Sequence, residues 1–224
     1  MKKNRRLFLL MLFLIFFVQS CGEEPPSSSG QNEPAYKGVI VTVGDSLTEG
    51  LGVEEEFAYP SRLEKKLQSL GYTYQVINAG ISGETSSGTL SRIDWVLTLK
   101  PDMVILVIGA NDGFRGINPD LIKANIIRII RKLKENNVVV VLGGMQIVQN
   151  LGVDYTAAFE KIYPAIARSE NVILIPFFLA GVAANPKLNQ ADGIHPTKEG
   201  YQVIVDNMTP FVLKAIKAMQ PATN

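Results

Sequence analysis

Cysteine and histidine are nearly missing from this chain: 224 residues contain one of each, Cys21 and His195. A single cysteine excludes an intrachain disulfide. A single histidine, with no Cys/His/acid cluster at ligand spacing, argues against a zinc centre. There is no phosphate-cradling P-loop and no Gly-x-Gly-x-x-Gly fingerprint, so neither a metal nor a cofactor is expected. Clustered basic residues of the kind that track nucleic acid are also wanting. No Asn-Gly turn joins two strand-like runs, which removes the strongest short hairpin signal.

What is there begins with a charged amino terminus, Lys2, Lys3, Arg5 and Arg6, followed by the apolar run Leu7 to Val18. The run is too short for a bilayer span, which needs roughly 20 residues. With small or polar residues after it, residues 1–20 read as an export signal peptide. Their removal takes four of the 22 Lys+Arg and none of the 21 Asp+Glu, leaving 18 against 21 and a net charge near −3. Val18-Gln19-Ser20-Cys21 resembles the lipobox of bacterial lipoproteins, which implies acylation of Cys21. By the same resemblance, Gly22 at the next position favours the outer membrane, on its periplasmic side. The Pro/Ser/Gly-rich residues 21–36 cannot bury enough apolar area to offset ordering and read as a flexible tether.

From residue 37 to 220 the chain reads as one α/β domain. Val39 to Val43 is a buried strand running into Gly44-Asp45-Ser46-Leu47. Phe57 to Leu70 has Leu63, Leu67 and Leu70 at helical spacing, and Gly71 closes it. Tyr72 to Ile77 is a second strand, and Thr85 to Leu99 a helix with Leu90, Ile93, Trp95 to Leu97 and Leu99 toward the core. Met103 to Ile108 is a continuous apolar run suited to a strand buried on both faces. Pro119 opens a helix over Asp120 to Lys134, whose apolar face is Leu121, Ile122, Ile126, Ile129, Ile130 and Leu133. Val138 to Leu142 and Val172 to Ile175 are strands flanking an Asp154 to Arg168 helix, and Thr197 to Met219 closes the chain. Five alternations of strand and helix predict a three-layer αβα, flavodoxin-like fold: a five-stranded parallel sheet of order 2-1-3-4-5.

Loops leaving the carboxyl ends of such strands carry the chemistry. Ser46 leaves the first. Acyl transfer by a serine needs a base, a carboxylate to orient it, and donors for the oxyanion. The one histidine stands in Asp192-Gly193-Ile194-His195-Pro196, and Pro196 holds it out of helical conformation. The Asp-x-x-His spacing lets a carboxylate take one ring N–H while the other nitrogen faces outward. Asp45 and Asp112 are rival partners for His195, read here as structural. The Gly-x-Ser-x-Gly elbow is absent, because position 48 is Thr.

Gly44-Asp45-Ser46-Leu47, Gly80 to Gly83, Gly109-x-Asn111-Asp112 and Asp192-x-x-His195 together resemble the four blocks of the SGNH (GDSL) hydrolases, in order and across residues 38–219. Three longer runs resemble its periplasmic thioesterase/lysophospholipase/arylesterase branch: Ile81 to Ser86, Gly113-Phe114-Arg115-Gly116 and Asp192 to Pro196. The resemblance implies Ser46 as nucleophile, His195 as general base and acid, and Asp192 as its orienting carboxylate. It implies an oxyanion hole from the Ser46 N–H, the Gly83 N–H and the Asn111 amide. Phe114, Ile117, Ile147, Val148 and Leu151, apolar residues on loops after the third and fourth strands, are candidates for an acyl groove.

The function expected is hydrolysis of small-molecule acyl esters, lysophospholipids or acyl thioesters by a monomer. Coenzyme A thioesters are cytosolic, so an exported enzyme meets lipids and other esters more often. Two alternatives stay open: a cell-envelope carbohydrate O-acetylesterase, and a non-catalytic surface lipoprotein that binds lipid or a partner.

Overall fold

The structure, a computed structural model, describes residues 36–147 and 151–219. The export segment, Cys21, the tether as far as residue 35, and Val148 lie outside the described residues. Five strands build the sheet: β1 (Gly38–Gly44), β2 (Tyr74–Gly80), β3 (Met103–Val107), β4 (Val139–Gly143) and β5 (Ile173–Ile175). All pairings are parallel, in the order β2-β1-β3-β4-β5. β3 sits at the centre with every residue buried, which is what an unbroken Met-Val-Ile-Leu-Val run requires.

Eight α-helices and one 3-10 turn (Glu55–Phe57) are described: α1 (Ser46–Glu49), α2 (Tyr59–Ser69), α3 (Ser86–Thr98), α4 (Ala110–Phe114), α5 (Pro119–Glu135), α6 (Val153–Glu160), α7 (Ile162–Glu170) and α8 (Lys198–Met219). α5 packs between α3 and α7, and α2 packs against α8, giving helical layers on both sides of the sheet. α5 buries Ile122, Ile126, Ile129, Ile130 and Leu133 along one stripe. Its Arg131 forks onto the buried Glu170 of α7 at 2.9 and 3.1 Å, fixing the two helices side by side. No helix among the described residues is long and apolar enough to cross a membrane.

Three expectations need correction. Trp95 is exposed: α3 buries Ser86, Thr89, Ile93 and Val96, and Trp95 stands one position off that stripe with its ring under the Arg92 guanidinium. Leu121 is exposed for the same reason, one position ahead of the buried stripe of α5 and about 100° around the helix. The helix expected over Asp154 to Arg168 is two, interrupted at Lys161. Pro164 has no N–H to give the Glu160 carbonyl, so the ladder breaks one turn before it.

Register decides where the chemistry can sit. Gly44 pairs with both Gly80 and Val107, so β1, β2 and β3 end level with one another. A Cβ on Gly44 would collide with the Thr48 hydroxyl and the Val107 carbonyl. The glycine is what allows the chain to turn into α1 immediately.

Candidate active site

Ser46 is the first residue of α1, a single turn capped by Asp45, whose Oδ1 accepts from the Leu47 N–H at 3.0 Å. Two buried tyrosines brace the loops from below. The Tyr201 hydroxyl donates to the Leu47 carbonyl at 3.0 Å, and the Tyr163 hydroxyl to the Ile108 carbonyl at 2.9 Å. Burial pushes both phenols above their ordinary pKa, so they remain donors.

The Ser46 Oγ lies 2.8 Å from His195 Nε2, and His195 Nδ1 lies 2.7 Å from Asp192 Oδ2. Asp192 Oδ1 accepts from the N–H of Ile194 at 2.8 Å and of His195 at 3.0 Å. Hydrogen bonds from the His195 backbone, the His195 ring and the Ile194 backbone hold the Asp192 carboxyl down at about 2. An ionised carboxylate can only accept, so Nδ1 carries the ring proton and Nε2 faces the serine hydroxyl as an acceptor.

The loop that returns His195 to the strand ends is tied to the serine segment by Gln190. Its Nε2 donates to the Leu51 carbonyl at 2.7 Å and to the Pro196 carbonyl at 3.0 Å, and its N–H to the His195 carbonyl at 2.8 Å. Nothing in the sequence singled out Gln190, since an amide in an irregular stretch carries no pattern.

Gly83 and Asn111 line the same cleft as Ser46 and His195. Gly83 has φ +75°, a conformation in which a side chain would be strained. One amide proton of Asn111 goes to Asp45 Oδ2 at 3.3 Å. Asp112 is fully buried and accepts from the Ser86 N–H at 2.8 Å and the Ser86 hydroxyl at 2.6 Å. That pair of bonds anchors the Asn111 loop to the amino end of α3. Neither Asp45 nor Asp112 hydrogen-bonds His195, in keeping with their reading as loop-holding groups. Burial drives the Asp45 carboxyl up to about 6, against the opposing pull of the Leu47 N–H and His195.

The cleft has a volume of about 260 Å³ and walls that include Leu47, Leu51, Met145 and Leu179. It adjoins a larger cavity of about 630 Å³ through shared Phe114, Gln146, Leu179 and Ile194. Of the groove residues read from sequence, Phe114 lines both spaces and Ile147 the larger one. Ile117 instead packs on the core with its carbonyl taken by the Tyr155 hydroxyl at 2.6 Å, and Leu151 lines neither space. Leu51, Met145, Leu179 and Ile194 were missed, because an apolar residue beside a cleft looks in sequence like one inside a core.

Comparison with known proteins agrees with this geometry. Residues 42–203 match the GDSL-like Lipase/Acylhydrolase family. Esterase TesA of Pseudomonas aeruginosa is 38% identical over 172 residues, covering 76% of this chain and 86% of its own. The thioesterase 1/protease 1/lysophospholipase L1 of Escherichia coli is 34% identical over 186 residues, covering 83% of this chain and 85% of its own. A crystal structure of TesA aligns with a TM-score of 0.76 at 36% identity, over 79% of this chain and 99% of that one. The match runs from the middle of β1 past the Asp192–His195 turn into α8, and by it this chain belongs to the GDSL-like lipase and acylhydrolase family.

Proposed function

We propose that this serine hydrolase cleaves carboxylic esters or thioesters through an acyl-enzyme on Ser46. The observation that carries the reading is the relay from Ser46 Oγ to His195 Nε2 at 2.8 Å and from His195 Nδ1 to Asp192 at 2.7 Å. The Ser46 oxygen attacks the carbonyl carbon while Nε2 takes its proton. The resulting oxyanion is met by the N–H groups of Ser46 and Gly83 and the free amide proton of Asn111. His195 then gives the proton to the departing alkoxide or thiolate. Water repeats the cycle on the acyl-enzyme and releases the acid. Asp192 stays ionised throughout and stabilises the imidazolium.

The substrate is an amphiphile: an aryl ester, a lysophospholipid or an acyl thioester. Supporting this are the apolar walls of the cleft and the exposed Leu51, Phe114 and Ile194 at its mouth. The names of similar proteins support it too: an esterase, a thioesterase and lysophospholipase, and an arylesterase of Vibrio mimicus 35% identical over 176 residues. A fluorophosphonate probe should label the protein stoichiometrically, and Ser46→Ala should abolish both labelling and turnover of nitrophenyl esters. Labelling that survives Ser46→Ala would move the nucleophile elsewhere.

Export and lipid attachment belong to the same proposal and rest on residues 1–21 alone. Fed an alkyne fatty acid, cells expressing the full chain should acylate it, and Cys21→Ser should remove the label. An unchanged label would refute attachment at Cys21.

A further inference from the structure

Arg115 stands at the end of the helical turn that Asn111 helps to open, and its backbone N–H donates to the Asn111 carbonyl at 3.2 Å. Its side chain leaves that turn and crosses to the neighbouring loop, where Nη2 donates to the Gly83 carbonyl at 3.0 Å. Gly83 and Asn111 sit on different loops, after β2 and β3. One guanidinium therefore spans the two segments that carry the oxyanion donors.

The rest of the Gly83 turn is held from outside. Ahead of it, the Ile81 N–H donates to the Gly44 carbonyl at 2.9 Å. Behind it, Glu84, whose side chain is only 6% exposed, is gripped by Arg92 at 2.5 Å, and Arg92 also donates to the Ala79 carbonyl at 2.8 Å. Between these anchors the Glu84 N–H closes the turn onto the Ile81 carbonyl at 3.1 Å, with Gly83 inside it at φ +75°. Arg115 is exposed and forms no ion pair among the described residues. Its contact is with the carbonyl of the residue whose N–H is a proposed oxyanion donor.

We infer that Arg115 is a positioning residue, a clasp that sets the spacing between the Gly83 N–H and the Asn111 amide. The inference rests on the oxyanion-hole reading given above. Donors act on an oxyanion only within about 2.7–3.1 Å, and a slack of about 1 Å can cost on the order of a hundredfold in rate. The ground-state carbonyl bears far less charge than the tetrahedral oxyanion. Loosening the clasp therefore lowers kcat and leaves KM nearly alone.

The test uses the whole protein with a nitrophenyl ester. Arg115→Ala should lower kcat about ten- to a hundredfold with KM within about threefold, and Arg115→Lys should recover part of the loss. An alkylboronic acid supplies the readout that general loosening of the fold would not reproduce. Its boron accepts the Ser46 oxygen, His195 takes the proton, and the adduct is a tetrahedral anion. Its inhibition constant should rise by the factor by which kcat/KM falls, while inhibition by the free fatty acid product is unchanged. Should Arg115→Ala prove unstable, the same measurements on Arg115→Gln carry the test, since the glutamine keeps a donor but shortens its reach.

An active wild type with an unaffected variant, or a loss confined to KM, overturns the inference alone. The second result would make Arg115 a substrate contact. A wild type that neither turns over nor takes the fluorophosphonate overturns the serine reading, and this inference with it.

Discussion

Asp45 and Asp192 show how far surroundings can separate two identical side chains. Asp192 is part-exposed and surrounded by donors, so it is held at about 2. Asp45 is 2% exposed with fewer donors, and burial lifts it to about 6. A carboxyl whose folded pKa lies above its ordinary 3.8 binds its proton more tightly in the folded state. Its contribution to stability is therefore complete below pH 4 and lost as pH rises through 6. The whole effect is about 3 kcal/mol. Asp45→Asn removes the buried charge, so the variant should gain on the wild type in urea denaturation at pH 8, with the gap closing by pH 4. A gap that does not change with pH would clear Asp45 of that role. The same variant should lose activity about ten- to a hundredfold, because Leu47 and Asn111 donate to different carboxylate oxygens and asparagine replaces one of them with an NH2 that cannot accept. Of the three acids near the serine and histidine blocks, sequence alone favoured Asp192 through its spacing. What Asp45 and Asp112 hold became visible only once Asn111 and Ser86 had been placed.

At the scale of elements, legibility followed how local the signal was. β3 could be read from five consecutive apolar residues, and α5 from a repeating stripe that begins behind Pro119. The four motif residues brought to one cleft, Ser46, Gly83, Asn111 and His195, were legible through the short blocks that resemble the SGNH hydrolases. Trp95 and Leu121 were misplaced because hydrophobicity does not say which side of a helix the sheet will cover. One position of shift turns a side chain through about 100°. α1 left too small a mark: an Asp cap, four residues and a glycine at φ +91° make a turn that reads as loop. The break at Lys161 was available in principle, since Pro164 sits where a continuous helix would need its N–H.

For the whole molecule, the strand order sets what the site can accept. The order in which strands are added reverses at β1, with β2 on one side of it and β3 on the other, so Ser46 and Asn111 flank a crevice at the carboxyl end of the parallel sheet. From there the cleft opens past Phe114, Leu179 and Ile194 into the cavity of about 630 Å³. An acetyl group would leave that second space unused. A longer acyl chain that enters it leaves water for an apolar wall, at about 0.8 kcal/mol for each methylene buried. If that gain is kept in the transition state, kcat/KM should climb by up to about fourfold per methylene along a series of nitrophenyl esters, then level off when the cavity is full. The plateau should move to shorter chains in Ala184→Trp, since Ala184 lines the larger cavity and not the cleft that holds Ser46 and His195. A series that peaks at acetate would instead fit an O-acetylesterase acting on carbohydrate. A plateau unmoved by Ala184→Trp would send the acyl chain along a different path from the serine.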